Sequence, residues 1–387
     1  MKIVVDENIP FGREAFGLLG SVVTLPGRTI SAKDLGDAEL LIVRSITKVD
    51  AALLDSSRVR FVGTCTIGTD HVDTAYLSKK RIAFSSAPGC NANSVADYVT
   101  AALLELSEHH GFRLAGKSLG VVGVGNVGSR VAARGAALGM TCVLNDPPLA
   151  RQTNDPKYQP IDAILECDVV TFHVPLTKAK PHATHHLVNE AFLRRLKPDT
   201  ILINSSRGPV VDNAALVRAL EGGALKACVL DVWEGEPSIN LRLLDETFIG
   251  TPHIAGYSFD GKVNGTRQVY ESACQFLGVT PSWDPSPLLP EPECPSVKVR
   301  GDAADPEESL RAAVRAVYDI RRDDSAMRAL LSAAESERTR MFDRLRKEYP
   351  RRREFINTRA EVAPRNAKLE SRLKQLGFRV SGSGSRM

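Results

Sequence analysis

Three glycines, in the run Gly123-Val124-Gly125-Asn126-Val127-Gly128, follow the apolar stretch Leu119 to Val122 and open a helical stretch from Val127 to Leu138. Residues without side chains at this spacing let a backbone turn tightly and approach a phosphate closely. The helix that follows presents unpaired N–H groups and a positive dipole end to the same point. Alone, such a run marks a tight turn; between a strand and a helix it is the pattern of a dinucleotide pyrophosphate site. Eighteen residues past Gly128 the next predicted strand, Thr141 to Leu144, leads to Asp146. A carboxylate there accepts hydrogen bonds from the adenosine ribose hydroxyls and repels a 2′-phosphate. Pro147 and Pro148 follow, with no Lys or Arg to hold such a phosphate. The expected cofactor is NAD.

Three further segments stand where predicted strands end: Asn204-Ser-Ser-Arg-Gly-Pro-Val-Val-Asp212, Asp231-Val-Trp-Glu-Gly-Glu-Pro237 and Thr251-Pro-His-Ile-Ala-Gly256. With the glycine turn ahead of them in this order, residues 1 to about 275 resemble the D-isomer-specific 2-hydroxyacid dehydrogenases. The resemblance implies a catalytic team of Arg207, Glu236 and His253. It also implies cofactor contacts at Gly123, Gly125, Asn126, Val127, Gly128, Asp146, Val174, Pro175, Ser205, Ser206, Arg207, Asp231 and Gly256. These residue types suit the chemistry. Oxidising an alcohol requires a base to remove its proton while a hydride leaves the same carbon, and histidine ionises near neutral pH. A carboxylate beside the imidazole fixes its tautomer and favours its protonated form. The planar fork of an arginine matches a substrate carboxylate. Taken singly, Arg207 would pair a surface carboxylate, Glu236 would precede a turn proline and His253 would be a loop histidine; jointly, at strand ends, they read as a site.

Within the family, several stretches resemble the branch that oxidises 4-phospho-D-erythronate at C2 in vitamin B6 synthesis. They are Asp6-Glu-Asn-Ile-Pro10, Pro26-Gly27-Arg28, Val43 to Lys48, Phe61 to Asp73, Ala87 to Asn91 and Phe342 to Phe355. A phosphorylated 2-hydroxy acid needs cationic and hydroxyl donors, and Arg44, Ser45, Thr64 and Thr66 stand at predicted strand ends. The resemblance assigns Ser45, Thr66 and Tyr257 to substrate contact, with strand-end capping the plainer role for the first two. Among the C-terminal arginines, Arg346 is the one expected to reach the phosphate site of a neighbouring subunit. The resemblance further implies a homodimer made by the C-terminal region, with Leu330, Leu331, Phe342 and Leu345 as contacts. The rival substrate is 3-phosphoglycerate, one carbon shorter; a rival of another class is an NAD-sensing corepressor that binds partners without turnover.

The elements that must position these residues follow from apolar periodicity. Strands are predicted at Lys2 to Val5, Ser21 to Leu25, Leu40 to Val43, Val59 to Val62 and Ile82 to Ser85, alternating with amphipathic stretches, which argues for a parallel α/β layer. Ser94 to His109 repeats apolar residues at helical spacing and reads as a link between domains. Further strands fall at Val169 to His173, Thr200 to Asn204 and Ala227 to Val232. The expected fold class is α/β: a Rossmann-type doubly wound NAD domain over 96–256, a flavodoxin-like substrate domain over 1–95 with 257–280, and a small α+β dimerisation domain over 296–380. A proline-rich linker, 281–295, precedes the last, and 381–387 reads as a flexible tail.

A chain of 387 residues exceeds what one core usually organises. Its hydrophobic fraction of 43%, charged fraction of 25% and net charge of +4 are those of a soluble globular protein, and neither nucleic acid nor membrane is an expected partner. Seven cysteines without CxxC spacing speak against zinc and disulfides, and no metal is expected. His71, His109, His110, His173, His182, His185 and His186 are read as solvated or structural. The start Met1 to Asp6 reads as a strand, so the expected location is the cytoplasm.

Overall fold

A computed structural model describes residues 1–380; the expected tail, 381–387, lies outside the described residues. The chain forms two units, one from Met1–Asn91 with Ser258–Glu291 and the other from Ala92–Tyr257 with Pro292 onward.

The first unit is a five-stranded sheet of β1 (Lys2–Asp6), β2 (Ser21–Leu25), β3 (Leu40–Val43), β4 (Phe61–Thr64) and β5 (Ala83–Ser85), ordered β2-β1-β3-β4-β5. Every pairing is parallel. This is the flavodoxin-like order. The central strands read as unbroken apolar runs because both faces are covered: all four residues of β3 are buried. The helix Phe259–Leu277, returning late in the chain, covers one face by packing Val269, Tyr270 and Ala273 against Ile3, Val5 and Leu40. It lies so close to β4 that a Cβ on Gly63 would fall 2.3 Å from Val269 Cγ1. Trp283, inside the expected linker, packs on the same core, beside Tyr270.

The second unit holds β6 (Ser118–Val122), β7 (Thr141–Asn145), β8 (Val169–Phe172), β9 (Ile201–Asn204), β10 (Ala227–Leu230) and β11 (Ile249–Gly250) in the order β11-β10-β9-β8-β6-β7, all parallel. From β6 the chain runs outward to β7 and then returns to β8 on the other side. The switch point, where α/β sheets bind ligands, therefore lies at the C-terminal ends of β6 and β8. The long helix Ala92–His109 is buried along nearly its whole length.

The C-terminal segment of this unit has its own parallel sheet of β12 (Ser296–Arg300), β13 (Arg359–Ala363) and β14 (Arg379–Val380). Its core is nevertheless continuous with that of the NAD domain: Val299, Leu310, Phe355 and Phe378 pack in one cluster with Leu103, Leu119 and Leu138. Leu330 and Phe342 correct an expectation. Both are wholly buried inside their own chain, in a cluster with Trp233, Leu243 and Leu244, and Leu331 and Leu345 pack against it. Apolar residues already covered in one subunit are not available as contacts for another.

Candidate functional site

The glycine turn is built as its spacing requires. Gly123 has φ +86, and a Cβ there would lie 2.7 Å from the carbonyl oxygen of His173 and 2.8 Å from Val174 Cγ1. A Cβ on Gly128 would sit 1.9 Å from the Gly123 carbonyl oxygen, so helix and strand can meet only over glycine. Gly125 is different. Nothing lies within 4 Å of where its Cβ would be, so the open space is on the side a ligand would approach. It caps the helix Asn126–Ala137, whose first N–H groups face that space. Asp146 closes the turn from β7: its Oδ2 accepts from Val124 N at 2.8 Å, and its Oδ1 accepts from Leu149 N at 3.0 Å to cap Pro147–Thr153. The residues fit a dinucleotide. From β8, burial drives the pKa of His173 down to about 3, so its ring is neutral beside the turn. Val174 and the exposed Pro175 follow it. At the end of β9, Ser205 Oγ is buried without a partner, while Ser206 Oγ donates to Asn204 Oδ1 at 2.8 Å.

Strands β9, β10 and β11 are neighbours in register, so the three loops that follow them leave one edge of the sheet. The first and second are held in close approach by Gly208, where a Cβ would fall 1.9 Å from the Trp233 carbonyl oxygen. Arg207, on the first, stays half-buried, with Nη1 donating to its neighbour's carbonyl, Ser206 O, at 2.8 Å. Glu236 and His253, from the second and third, meet directly: Nδ1 to Oε2 is 2.8 Å. The other oxygen, Oε1, accepts from Trp233 N at 2.8 Å. Burial pushes the Glu236 pKa up, but the His253 charge and hydrogen bond, the Trp233 N–H and the Arg346 charge together hold it below its ordinary value. With Nδ1 fixed by a carboxylate, Nε2 of His253 is the nitrogen free to exchange a proton with a ligand.

Asp231 departs from the expectation of cofactor contact. It is buried, and both oxygens serve the loop that carries His253: Oδ1 accepts from Thr251 Oγ1 and Ile254 N at 2.7 Å each, and Oδ2 accepts from Ala255 N at 3.0 Å. Burial raises its pKa. Trp233 Nε1 adds a bond to Thr251 O at 2.9 Å. Trp233 is spelled in the motif, but neither bond is visible there, because each joins residues on different strands.

Arg346 departs as well. It acts inside its own chain, where Nη2 donates to Tyr257 Oη at 3.0 Å and the guanidinium lies 5.6 Å from the Tyr257 ring centre. Gly256 joins Tyr257 to the His253 loop. The histidines at 182–186 also find a partner: His186 Nε2 lies 2.7 Å from Glu234 Oε1.

On the first unit, Arg44, Ser45 and Thr66 follow β3 and β4 at the C-terminal edge of the sheet. Buried Asp6 at the end of β1 accepts from Arg44 Nε at 3.2 Å, while Ser45 is exposed. Thr64 Oγ1 bonds Thr66 Oγ1 at 2.9 Å and His71 Nε2 at 3.0 Å. Asp6 and His71 thus orient residues that sequence reading had singled out, while neither had been given that role.

Residues 91–255 match the family D-isomer specific 2-hydroxyacid dehydrogenase, NAD binding domain, and residues 288–377 match a domain of unknown function. The erythronate-4-phosphate dehydrogenase of Klebsiella pneumoniae (strain 342) is 48% identical over 379 residues, covering 98% of each chain. That of Edwardsiella ictaluri (strain 93-146) is 50% identical over 380 residues, covering 98% of this chain and 99% of its own. The chain belongs to the erythronate-4-phosphate dehydrogenase family. Members of this family are D-2-hydroxyacid dehydrogenases, and the chain is an NAD-dependent one. Among solved structures, a D-lactate dehydrogenase from Aquifex aeolicus complexed with NAD and lactic acid is 28% identical, with a TM-score of 0.59, over 72% of this chain and 96% of that one. A protein from Thermus thermophilus is 26% identical, with a TM-score of 0.63, over 73% of this chain and 98% of that one.

Proposed function

We propose that the chain oxidises 4-phospho-D-erythronate at C2 to (R)-3-hydroxy-2-oxo-4-phosphooxybutanoate with NAD, as a step toward pyridoxal 5′-phosphate. The observation that carries the reading is the Glu236–His253 pair at 2.8 Å, at the strand edge that also bears Arg207. Bound NAD would accept the hydride from C2. His253 Nε2 takes the C2 hydroxyl proton as that hydride leaves, and Glu236 stabilises the resulting imidazolium. Arg207 holds the substrate carboxylate and polarises the oxygen at C2. The cofactor lies along Gly123, Gly125, Asn126, Val127 and Gly128, with Asp146 on its ribose and Val174, Pro175, Ser205, Ser206 and Gly256 lining its path. Arg44, Ser45, Thr66, Tyr257 and Arg346 supply substrate donors.

The test is turnover with NAD on 4-phosphoerythronate against 3-phosphoglycerate. We expect kcat/KM to favour the four-carbon acid by roughly 100-fold, the scale set by donors left unpaired with the shorter ligand; equal or better turnover of 3-phosphoglycerate would make the chain a 3-phosphoglycerate dehydrogenase. Absence of turnover on any 2-hydroxy acid, with NAD still bound, would favour the corepressor-like reading. The proposal includes a cytoplasmic homodimer joined through the C-terminal segment on surfaces other than Leu330 and Phe342. Sedimentation across a concentration series should show a dimer, and a monomer throughout would reject it.

A further inference from the structure

The loop after β11 holds His253 at φ 58, a left-handed conformation that side-chain-bearing residues rarely adopt. Such a conformation persists where the surroundings fix it. Asp231 grips the loop by its N–H groups. The opposite grip comes from the C-terminal segment. Arg352, 8% exposed, donates from Nη2 to Ala255 O at 2.6 Å and to Ser94 Oγ at 2.6 Å, and Ser94 Oγ donates to the same carbonyl at 2.7 Å.

The guanidinium is itself fixed. It lies 4.1 Å from the centre of the Tyr318 ring, and Asp323 accepts from the hydroxyls of Tyr318 at 2.8 Å and Tyr349 at 2.9 Å. The same segment also holds the strand leading into the loop. Asp324 accepts from Gly250 N at 2.8 Å, and Arg328 Nη2 donates to Thr247 O at 2.5 Å and Phe248 O at 3.2 Å. Nε and Nη1 of Arg352 are buried without a partner. A buried cation so incompletely paired is a poor source of stability. What it does fix is Ala255, two residues from His253.

We propose that Arg352 is a positioning residue for the reaction: through the Ala255 carbonyl it sets where the His253 imidazole stands against Glu236. The C-terminal segment is then a working part of the catalytic loop in its own chain. The inference rests on the reading of His253 as the base.

The test is a double-mutant cycle on the full-length enzyme. Arg352→Lys and Arg352→Met are made alone and in a His253→Ala background, with 4-phosphoerythronate turnover and NADH binding both measured. Arg352→Met should lower kcat about 100-fold, the cost of a misplacement near 1 Å, while NADH affinity holds within about twofold. Arg352→Lys, which keeps the cation but loses the fork, should fall between. The acidic limb of the kcat/KM profile, where the imidazole must be free of its proton, should move to lower pH as the Glu236 contact loosens. Glu236, Asp231, Arg207 and Arg346, the charged groups of the site, are untouched by the substitution. In the His253→Ala background neither change should cost more. Where Arg352→Met does not fold, Arg352→Lys carries the same readouts. Unchanged kcat, an unmoved acidic limb, or losses that add in full to that of His253→Ala would each overturn the inference while leaving the function intact. Normal turnover by His253→Ala alone would remove the reading on which it rests, and the inference with it.

Discussion

The turn at 123–128 and the loop at 251–257 both end parallel strands and both face the ligand edge of one sheet, yet they are made in opposite ways. The turn is self-contained. Its shape follows from glycines whose missing side chains admit each other's backbone, as the 1.9 Å from a Gly128 Cβ to Gly123 O shows. The loop takes its shape from elsewhere: Asp231 on β10's exit, Tyr98 through Thr251, and Arg352 from the C-terminal segment. A binding surface for a cofactor backbone can be written in six consecutive residues. An imidazole that must be aimed at one hydroxyl draws on distant parts of the chain.

If that contrast is right, substitutions in the two regions should fail differently. The largest effect is expected for His253→Ala, where loss of the base should lower kcat by about 10²–10⁴-fold while NADH affinity and thermal stability hold; stopped-flow NADH formation and NADH fluorescence check the two halves. Gly128→Ala should do the reverse. Its methyl group cannot be placed without moving the turn, so overpacking should cost about 1–3 kcal/mol in denaturant unfolding and weaken NADH binding, with little change in kcat at saturating cofactor.

Glu236→Gln tests the pair by pH. The folded-state pKa of Glu236 lies below its ordinary value of 4.5, so the stability its ionised carboxyl contributes is complete above that value and is lost as pH falls below it. The stability gap between wild type and variant should therefore be constant near neutrality and close in acid; a gap that widened in acid would contradict the assignment. The smallest effect is expected for Asp146→Ala. The loss of one helix cap costs about 1 kcal/mol, and the preference for NAD over NADP should weaken, measured as a ratio of kcat/KM values.

The same contrast explains what the sequence let be read. The β6–turn–helix unit was legible nearly to the residue because period and glycine spacing are local properties. So were the strands whose four-residue apolar runs, such as Leu40–Val43, are buried on both faces. The Glu236–His253 pair was reachable only through family resemblance, since no spacing rule brings together residues on the exits of β10 and β11. Asp231 was assigned to the cofactor because its burial and three loop partners depend on that same juxtaposition. Leu330 and Phe342 were read as dimer contacts because amphipathic helices show that a face is covered without showing by what; here it is Trp233 and Leu243. Arg352 carried no signal at all, being one arginine in a run of three.

The central claim is that a hydride leaves C2 of the phosphorylated hydroxy acid as His253 takes the hydroxyl proton. Mass spectrometry of the reduced cofactor formed from 4-phospho-D-erythronate deuterated at C2 tests it most directly. The account predicts NADH carrying one deuterium from wild-type enzyme and almost no reduced cofactor from His253→Ala. Unlabelled NADH, or labelled NADH formed at the wild-type rate by His253→Ala, would contradict it.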